Sequence, residues 1–263
     1  MRTLTLALFA FVVLPGCSGE SEKDTSDVES DTDTDTDTDT DTDTDTDTDT
    51  DTDTDGSTAR IRVVHLSPDA PAVDVFVNDG AAPAIVELPF KNSTGFLDVP
   101  AGAYNFDVVA TGATIDTAVL TVDAVLDPDT TYTVAAIDRV ASISALALVD
   151  DASGLAAGNI RVQVAHTAPD VGEVDIWNLT GDIPSPLLEN VPFGETAVLP
   201  DVPSGAYTIG LDVDNDASPD VVFALPSLPG GTFVNLFAVN DAMGGAFLLA
   251  ALPDGTSAVI APN

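Results

Sequence analysis

Two collinear copies of one unit constrain this chain more than any other feature of its sequence. "RIRVVHLSPDAPAVDVFV" at 60–77 matches "RVQVAHTAPDVGEVDIWN" at 161–178, and "DVPAGAY" at 98–104 matches "DVPSGAY" at 201–207. Because each unit is about 100 residues long, it has the size of a domain and not that of one solenoid repeat. The sequence therefore predicts two tandem domains. The predicted boundaries are domain one at 59–151, a linker at 152–159 and domain two at 160–263.

Apolar residues in both units alternate with a period of two, which is typical of β-strands. The clearest alternating positions are Ile61/Val63, Val73/Val75/Val77, Tyr104/Phe106/Val108, Val119/Thr121, Tyr132 to Ile137 and Leu146/Leu148. No amphipathic helix of useful length is present, and clusters of Pro, Gly, Asp and Asn separate the apolar runs. Seven or so short strands per unit predict an all-β fold of two tandem immunoglobulin-like or prealbumin-like β-sandwiches. The hydroxyls of Tyr104 and Tyr207, after the "VPxG" turns, are expected to bond to main chain.

The N-terminus, residues 1–16, is predicted to be a signal peptide. Arg2 precedes an apolar run from Leu4 to Leu14 that is too short to span a membrane. The run ends in "LPGC", where Cys17 is the only cysteine of the chain. This tetrapeptide resembles the bacterial lipobox, which implies lipidation of Cys17 with diacylglyceryl and acyl groups such as palmitate. The alternative is an ordinary secretory peptide with an incidental cysteine.

Two neighbours of Cys17 refine the lipobox interpretation. Pro15 departs from the small or hydroxyl residue usual at its position, which implies slower or displaced cleavage. Ser18 resembles the residue that sorts lipoproteins to the outer membrane of a diderm bacterium. The predicted location is therefore the outer membrane, lipid-anchored, on its surface or its periplasmic side.

Residues 17–58 contain no material for a core and are predicted to be a disordered, low-complexity stalk. Asp31 to Asp55 is a strict alternation of 13 aspartates and 12 threonines. Like charges at every second position repel one another, so the tract is expected to stay extended, with a reach of about 80 Å. The alternative functions are diffuse calcium binding and O-glycosylation.

The charge balance restricts the partners. The chain has 44 acidic residues against 7 Lys and Arg, a formal net charge of −37. Such a charge repels phosphate backbones, so nucleic acid is excluded as a partner. Divalent cations, basic proteins and neutral glycans are compatible with it.

The folded region contains "RVVH-SPDAPAVDVFV" followed by "LPF", "DVPAGAY" and "YTVAAI". These motifs resemble those of a bacterial family of unknown function, DUF4397. The resemblance covers nearly all of residues 59–252 and is weaker in the second copy, where Val171, Gly172 and Glu173 replace Ala-Pro-Ala. The resemblance implies a β-sandwich and a surface location, and it implies no established activity.

The repeated motif contains a histidine, a proline and an aspartate in each copy. These motif residues are His65, Pro68 and Asp69, then His166, Pro169 and Asp170. By strand parity both histidines point inward, which favours a structural clasp in which a neutral imidazole bonds to main chain and the aspartate caps local N–H groups. A catalytic role would need a nucleophile and an oxyanion donor, and the sequence has no Gly-x-Ser-x-Gly and no cysteine besides Cys17. We therefore predict no enzyme activity.

An aromatic residue stands beside an acidic residue with outward parity in each copy, Asp74 with Phe76 and Asp175 with Trp177. Rings that pack on sugar faces, next to carboxylates that bind hydroxyls, are typical of a glycan-binding surface. The alternative, which we favour, is that these rings pack against covering loops.

"DVDNDASPD" at 212–220 breaks the symmetry between the copies and resembles a calcium loop. Its candidate ligands are Asp212, Asp214, Asp216, Ser218 and Asp220. Ala217 stands where such a loop wants Gly, and Phe223 stands where it wants a bidentate Glu. The sequence therefore predicts no cofactor beyond a weak calcium site, and an acidic hairpin tip is the alternative.

These features together predict a surface-anchored lipoprotein that presents two β-sandwiches for adhesion or envelope structure. Its expected partners are the membrane, through the lipid, and a glycan or protein at the cell surface. A carbohydrate-binding module is the first alternative, and a secreted hydrolase is less favoured.

Overall fold

The computed structural model describes residues 3–5 and 57–263, so Cys17 and nearly all of the predicted stalk lie outside the described residues. The described chain is nearly all β, with strands that form sheets in a sandwich-like arrangement. It contains no helix with the length and apolar character needed to cross a bilayer. Its helices are two short 3-10 turns, Ile115–Thr117 and Val140–Ser142.

The strands are numbered in chain order. They are β1 (Thr3–Thr5), β2 (Thr58–His65), β3 (Val73–Val77), β4 (Ile85–Leu88), β5 (Asn92–Ser93), β6 (Leu97–Pro100), β7 (Gly102–Ala110), β8 (Leu120–Leu126), β9 (Thr131–Ile137), β10 (Ser144–Val149), β11 (Asn159–His166), β12 (Val174–Asn178), β13 (Ser185–Val191), β14 (Thr196–Val198), β15 (Val202–Pro203), β16 (Tyr207–Asp212), β17 (Val221–Leu225), β18 (Thr232–Asn240), β19 (Ala246–Ala251) and β20 (Ser257–Ile260).

These strands form four sheets. Sheet A has the order β1-β8-β7-β3-β4, and sheet B has the order β10-β9-β2-β5, with β6 also paired to β2. Sheet C has the order β14-β11-β18-β19-β20, with β15 also paired to β11, and sheet D has the order β13-β12-β16-β17. Most pairs are antiparallel, but β1 runs parallel to β8, β2 runs parallel to β9 and β11 runs parallel to β18. We call sheets A and B the N-terminal pair and sheets C and D the C-terminal pair.

Each pair encloses its own apolar core. Val73 and Val75 of sheet A pack with Val63 of sheet B in the N-terminal pair. In the C-terminal pair, Val162 of sheet C and Ile176 of sheet D belong to one buried cluster. Alternating apolar residues on facing strands therefore meet between two sheets, which confirms the predicted all-β sandwich class.

A third apolar cluster joins the two pairs. It contains Val64 and Leu148 from sheet B together with Phe237 and Leu249 from sheet C. Sheets B and C are therefore covered on both faces, and all nine residues of β18 are buried. The layers follow the order A, B, C, D, and residues 57–263 lie within a single compact unit.

The "VPxGxY" turns have the geometry that the sequence predicted. The Tyr104 hydroxyl donates to the Pro100 carbonyl at 2.7 Å, and the Tyr207 hydroxyl donates to the Pro203 carbonyl at 2.6 Å. Each bond fixes the turn that leads into a strand of sheet A or sheet D, β7 or β16.

Candidate functional site

The two motif histidines make the same pair of bonds. In the first copy, His65 Nε2 lies 3.0 Å from the Pro71 carbonyl, and the Ser67 N–H points at Nδ1 from 3.3 Å. In the second copy, His166 Nε2 lies 2.7 Å from the Gly172 carbonyl. Since a carbonyl only accepts and a backbone N–H only donates, Nε2 carries the proton and the ring is neutral.

Burial is complete around both rings. His65 is 0% exposed and His166 is 2% exposed, and burial lowers the pKa of both imidazoles below the ordinary value. Each ring also stands edge-on to a phenylalanine, Phe90 at 6.0 Å and Phe193 at 6.1 Å between centroids. Both ring nitrogens are therefore occupied by backbone, and neither is free to act as a general base.

Pro68 and Pro169 start the turn that each histidine anchors. The Ala70 N–H bonds to the Ser67 carbonyl, and the Val171 N–H bonds to the Ala168 carbonyl, so each proline lies inside a β-turn. The loop therefore folds back on the end of its own strand and brings Pro71 or Gly172 over the imidazole.

The motif aspartates bind at long range, which corrects the expectation that they cap local N–H groups. Asp69 accepts from the Val140 N–H at 2.8 Å, and Asp170 accepts from the Arg139 guanidinium and from Asn240 Nδ2. Arg139 also lies 3.9 Å from the Asp69 carboxylate. The structure therefore brings the two copies of the motif to one end of the molecule, where Arg139 lies between their carboxylates.

The two predicted sugar-binding aspartates are buried and bonded to backbone. Asp74 accepts from the N–H groups of Glu87 and Gly112, and Asp175 accepts from the Asn190 N–H at 2.6 Å. Glu87 and Asn190 both have positive φ, at 51° and 53°, where irregularities interrupt the pairing of β3 with β4 and of β12 with β13. These backbone bonds lower the pKa of Asp74. Both carboxylates therefore fix β-bulges.

The two aromatic candidates differ in exposure. Phe76 is only 7% exposed, so its ring offers no face to a sugar, and the predicted surface at Asp74 and Phe76 is wrong. Trp177 is half-buried, and its indole N–H is buried without a partner among the described residues. Phe76 is packed, as the favoured alternative predicted. A glycan-binding role for Trp177 stays a prediction.

The acidic loop brings three of its five candidate ligands together. Asp212, Asp214 and Asp216 each offer a carboxylate oxygen within 4.8 Å of the others. The Asp212 oxygens accept from the N–H groups of Asn215 and Ala217, and Asp220 accepts from the Val213 N–H. No hydrogen bond among the described residues joins Ser218 to this cluster.

The loop is also strained and crowded. Ala217 has a φ of 67°, the left-handed conformation that glycine favours, as expected from its place in a calcium-like loop. Repulsion from Asp216 raises the pKa of Asp214, with burial and the other loop aspartates adding to the effect. The loop folds back over Gly210, where a Cβ would stand 2.6 Å from Pro219 Cβ. Calcium at this loop stays a prediction.

Sequence reasoning missed a buried polar network between sheets B and C. Arg62, 1% exposed, places Nη2 3.1 Å from Asp150 Oδ2 and donates to the carbonyls of Ala251 and Leu252. Asp150 also accepts from Asn235 Nδ2 at 2.7 Å. The sequence feature that could have revealed this network is the shared parity of Arg62 with Val64 and Leu66, which indicates a second buried face on β2.

The chain is similar to one family model and to solved structures. The model of a domain of unknown function, DUF4397, matches residues 59–177, which span the N-terminal pair and strands β11 and β12 of the C-terminal pair. A search of curated proteins finds no match. Among solved structures, the chain is similar to the Bacillus anthracis TIE protein, with 11% identity and a TM-score of 0.21. The similarity covers 78% of this chain and 44% of that one, so this chain spans less than half of that structure.

Proposed function

We propose that this chain is a lipid-anchored protein of the bacterial outer membrane, whose β-sheet body is held on an acidic stalk and serves adhesion or envelope structure. The observation that carries the anchor is the single cysteine in "LPGC" directly after an apolar run. Two or more acyl chains would hold the protein firmly, whereas one chain gives only marginal binding.

The body supports a binding or structural role over an enzymatic one. The imidazoles of His65 and His166, and the carboxylates of Asp74 and Asp175, are among the polar groups that the two copies share, and all four bond to main chain. Groups used in this way hold loops and are not available as a nucleophile or a general base. On this proposal, both copies are DUF4397-like sandwiches, and each copy serves as a structural scaffold.

The anchor is tested by replacing Cys17→Ser in the full chain. Because acylation depends on the thiol, the variant should move from the membrane fraction to soluble fractions and carry no lipid mass. Ser18→Ala is the matched control and should keep the lipid. Unchanged membrane retention of the Cys17→Ser variant, with no lipid on the wild-type chain, would remove the lipoprotein proposal.

The adhesive role is tested on cells that carry either form. Cells with the anchored chain should attach to a second cell type or a glycan surface, and added Cys17→Ser chain should compete. Equal attachment by cells with and without the anchored chain would leave envelope structure as the function, to be measured as sensitivity to osmotic shock.

A further inference from the structure

The C-terminal pair encloses an apolar cavity of about 220 Å³ between sheets C and D. Its wall includes Ile160, Val162, Ile209, Val234 and Leu236, and no charged side chain is among the described residues that line it. Two polar side chains reach the wall, and both have partners elsewhere. Asn178 accepts from the Thr180 N–H, and the Tyr207 hydroxyl donates to Pro203.

The first copy fills the corresponding space with larger side chains. The β2–β9 register pairs Ile61 with Tyr132, and the β11–β18 register pairs Val162 with Val234, so Val234 occupies the position of Tyr132. Tyr132 is buried in the cluster formed there by Ala59, Ile61 and Leu126.

A second position shows the same trend. The 103-residue offset that relates Tyr104 to Tyr207 places Ile209 where the first copy has Phe106. Phe106 stacks on Tyr104 at 5.8 Å between centroids. Two aromatic rings of the first copy are therefore replaced by Val and Ile in the wall of the cavity. Phe223, which stands opposite Ile209 where the first copy has Val122 opposite Phe106, restores only part of this volume.

We propose that this cavity is a binding site for an uncharged, hydrocarbon-like ligand, an alkyl chain or a ring of similar size. An apolar cavity of about 150 Å³ is large enough to hold benzene and stays free of water. In proportion, 220 Å³ accommodates about nine carbon atoms. A wall that is almost wholly apolar and carries no charge selects ligands by volume and by the absence of charge.

The charge of this half excludes an anionic head group. Residues 159–263 contain thirteen carboxylates and one cation, Arg161. Both Arg161 Nε and Nη2 bind the Asp201 carboxylate, at 2.8 and 3.0 Å. Asp201 stands between Pro200 and Val202 of the cavity wall, so the one cation of this half is already paired. An alcohol or a hydrocarbon therefore fits better than a fatty acid anion.

The test uses the full chain with Cys17→Ser, so that no attached lipid competes, and naphthalene, a fluorescent hydrocarbon of about the size that the cavity accommodates, as probe. The probe should bind with saturation. Nonanol should displace it at a lower concentration than nonanoate at neutral pH. Equal displacement by nonanoate would overturn the selection for an uncharged ligand, and probe binding without saturation would overturn the site.

Filling variants locate the binding. Val234→Phe and Ile209→Phe each place a ring where the first copy has one and should weaken probe binding about tenfold or more, with unfolding temperature kept or raised. Val198→Phe is the matched control, since Val198 is 55% exposed on the neighbouring strand β14, and it should leave the affinity unchanged. Wild-type affinity in both filling variants, or equal loss in the control, would overturn the site.

The acylated wild-type chain distinguishes two sources of the same alkyl chemistry. Probe binding to the acylated chain and to the Cys17→Ser chain alike supports a free ligand. Binding to the Cys17→Ser chain alone would support the same site with the chain's own acyl group as its occupant.

Discussion

Residues that look catalytic in the sequence hold backbone in the structure. A histidine, two aspartates and an aromatic ring at matching spacing suggest an active site. In the structure, both ring nitrogens of His65 and both carboxylate oxygens of Asp74 are hydrogen-bonded to main-chain groups. The reason is that a sandwich must close long loops over the ends of its strands, where backbone N–H and carbonyl groups need partners. A buried side chain with both donor and acceptor atoms supplies them.

The first prediction concerns the stability that the two histidines provide. Replacing His65→Ala or His166→Ala leaves the Pro71 or Gly172 carbonyl without its donor, and we expect each change to lower the free energy of unfolding by about 1–3 kcal/mol. The measurement is urea unfolding at neutral pH. Asn92→Ala, an exposed change on the strand beside His65, is the control and should have little effect.

The pH dependence of stability gives a second prediction for the same residues. Burial holds the pKa of each folded imidazole below the unfolded value of about 6.5, so the unfolded chain binds more protons in mildly acidic solution. The stability from neutral rings is therefore fully present above pH of about 6.5 and is lost as pH falls below it. We expect the unfolding temperature to fall between pH of about 7 and 5 in the wild-type chain and to fall less in the double His→Ala variant. Equal slopes would contradict the buried, neutral imidazoles.

Strand parity in the sequence correctly predicted that His65 and His166 point inward, because direction follows from a period of two. Parity did not predict the partners of Asp69 and Asp170, since Arg139 lies in the connection after β9 and Asn240 at the end of β18, both distant in sequence. It also misled at Phe76. Parity assigns a face of the strand, and loops that cover that face make it buried without any change in the local pattern.

At the scale of the elements, the 212–220 hairpin departs from the symmetry of the two copies. Asp212 is buried and supplies acceptors for two backbone N–H groups, so it belongs to the turn itself. Asp214 is exposed and is repelled by its neighbours. The loop thus separates one structural aspartate from a group of exposed ones, and only the exposed ones are free to meet a cation.

The third prediction follows from that repulsion. A pKa raised in the folded state means that ionised Asp214 destabilises the loop, so Asp214→Asn should raise the unfolding temperature at low ionic strength, and salt should reduce the gain. We expect millimolar calcium to stabilise the wild-type chain more than this variant. Asp182→Asn, another exposed aspartate of the C-terminal pair, is the control. An equal response to magnesium would mean screening of charge and would contradict a calcium cage.

At the scale of the whole molecule, the two units are stacked sheet on sheet. The repeat indicated tandem domains, and the strand pattern indicated a sandwich, but neither predicted that sheets B and C face each other. The physical reason is that inter-sheet packing depends on both faces of a strand. The sequence indicates this packing only weakly. Strands β18 and β19 are nearly continuous apolar runs, as expected of strands buried on both faces.

The last prediction tests this stacking at the buried network. Arg62→Met leaves the Asp150 carboxylate buried without its cation, and we expect a loss of about 3–5 kcal/mol, most of which is recovered when Asp150→Leu is added. The same change at Arg161, which pairs with Asp201 nearer the surface, should cost less than about 1 kcal/mol.

Because sheets B and C share one apolar cluster, both halves should unfold in a single transition in the wild-type chain. Hydrogen exchange followed by mass spectrometry measures the opening free energies of β7 and β16 separately. Different values for these two strands in the wild-type chain would mean that the two sheet pairs unfold independently. The buried network would then not couple them.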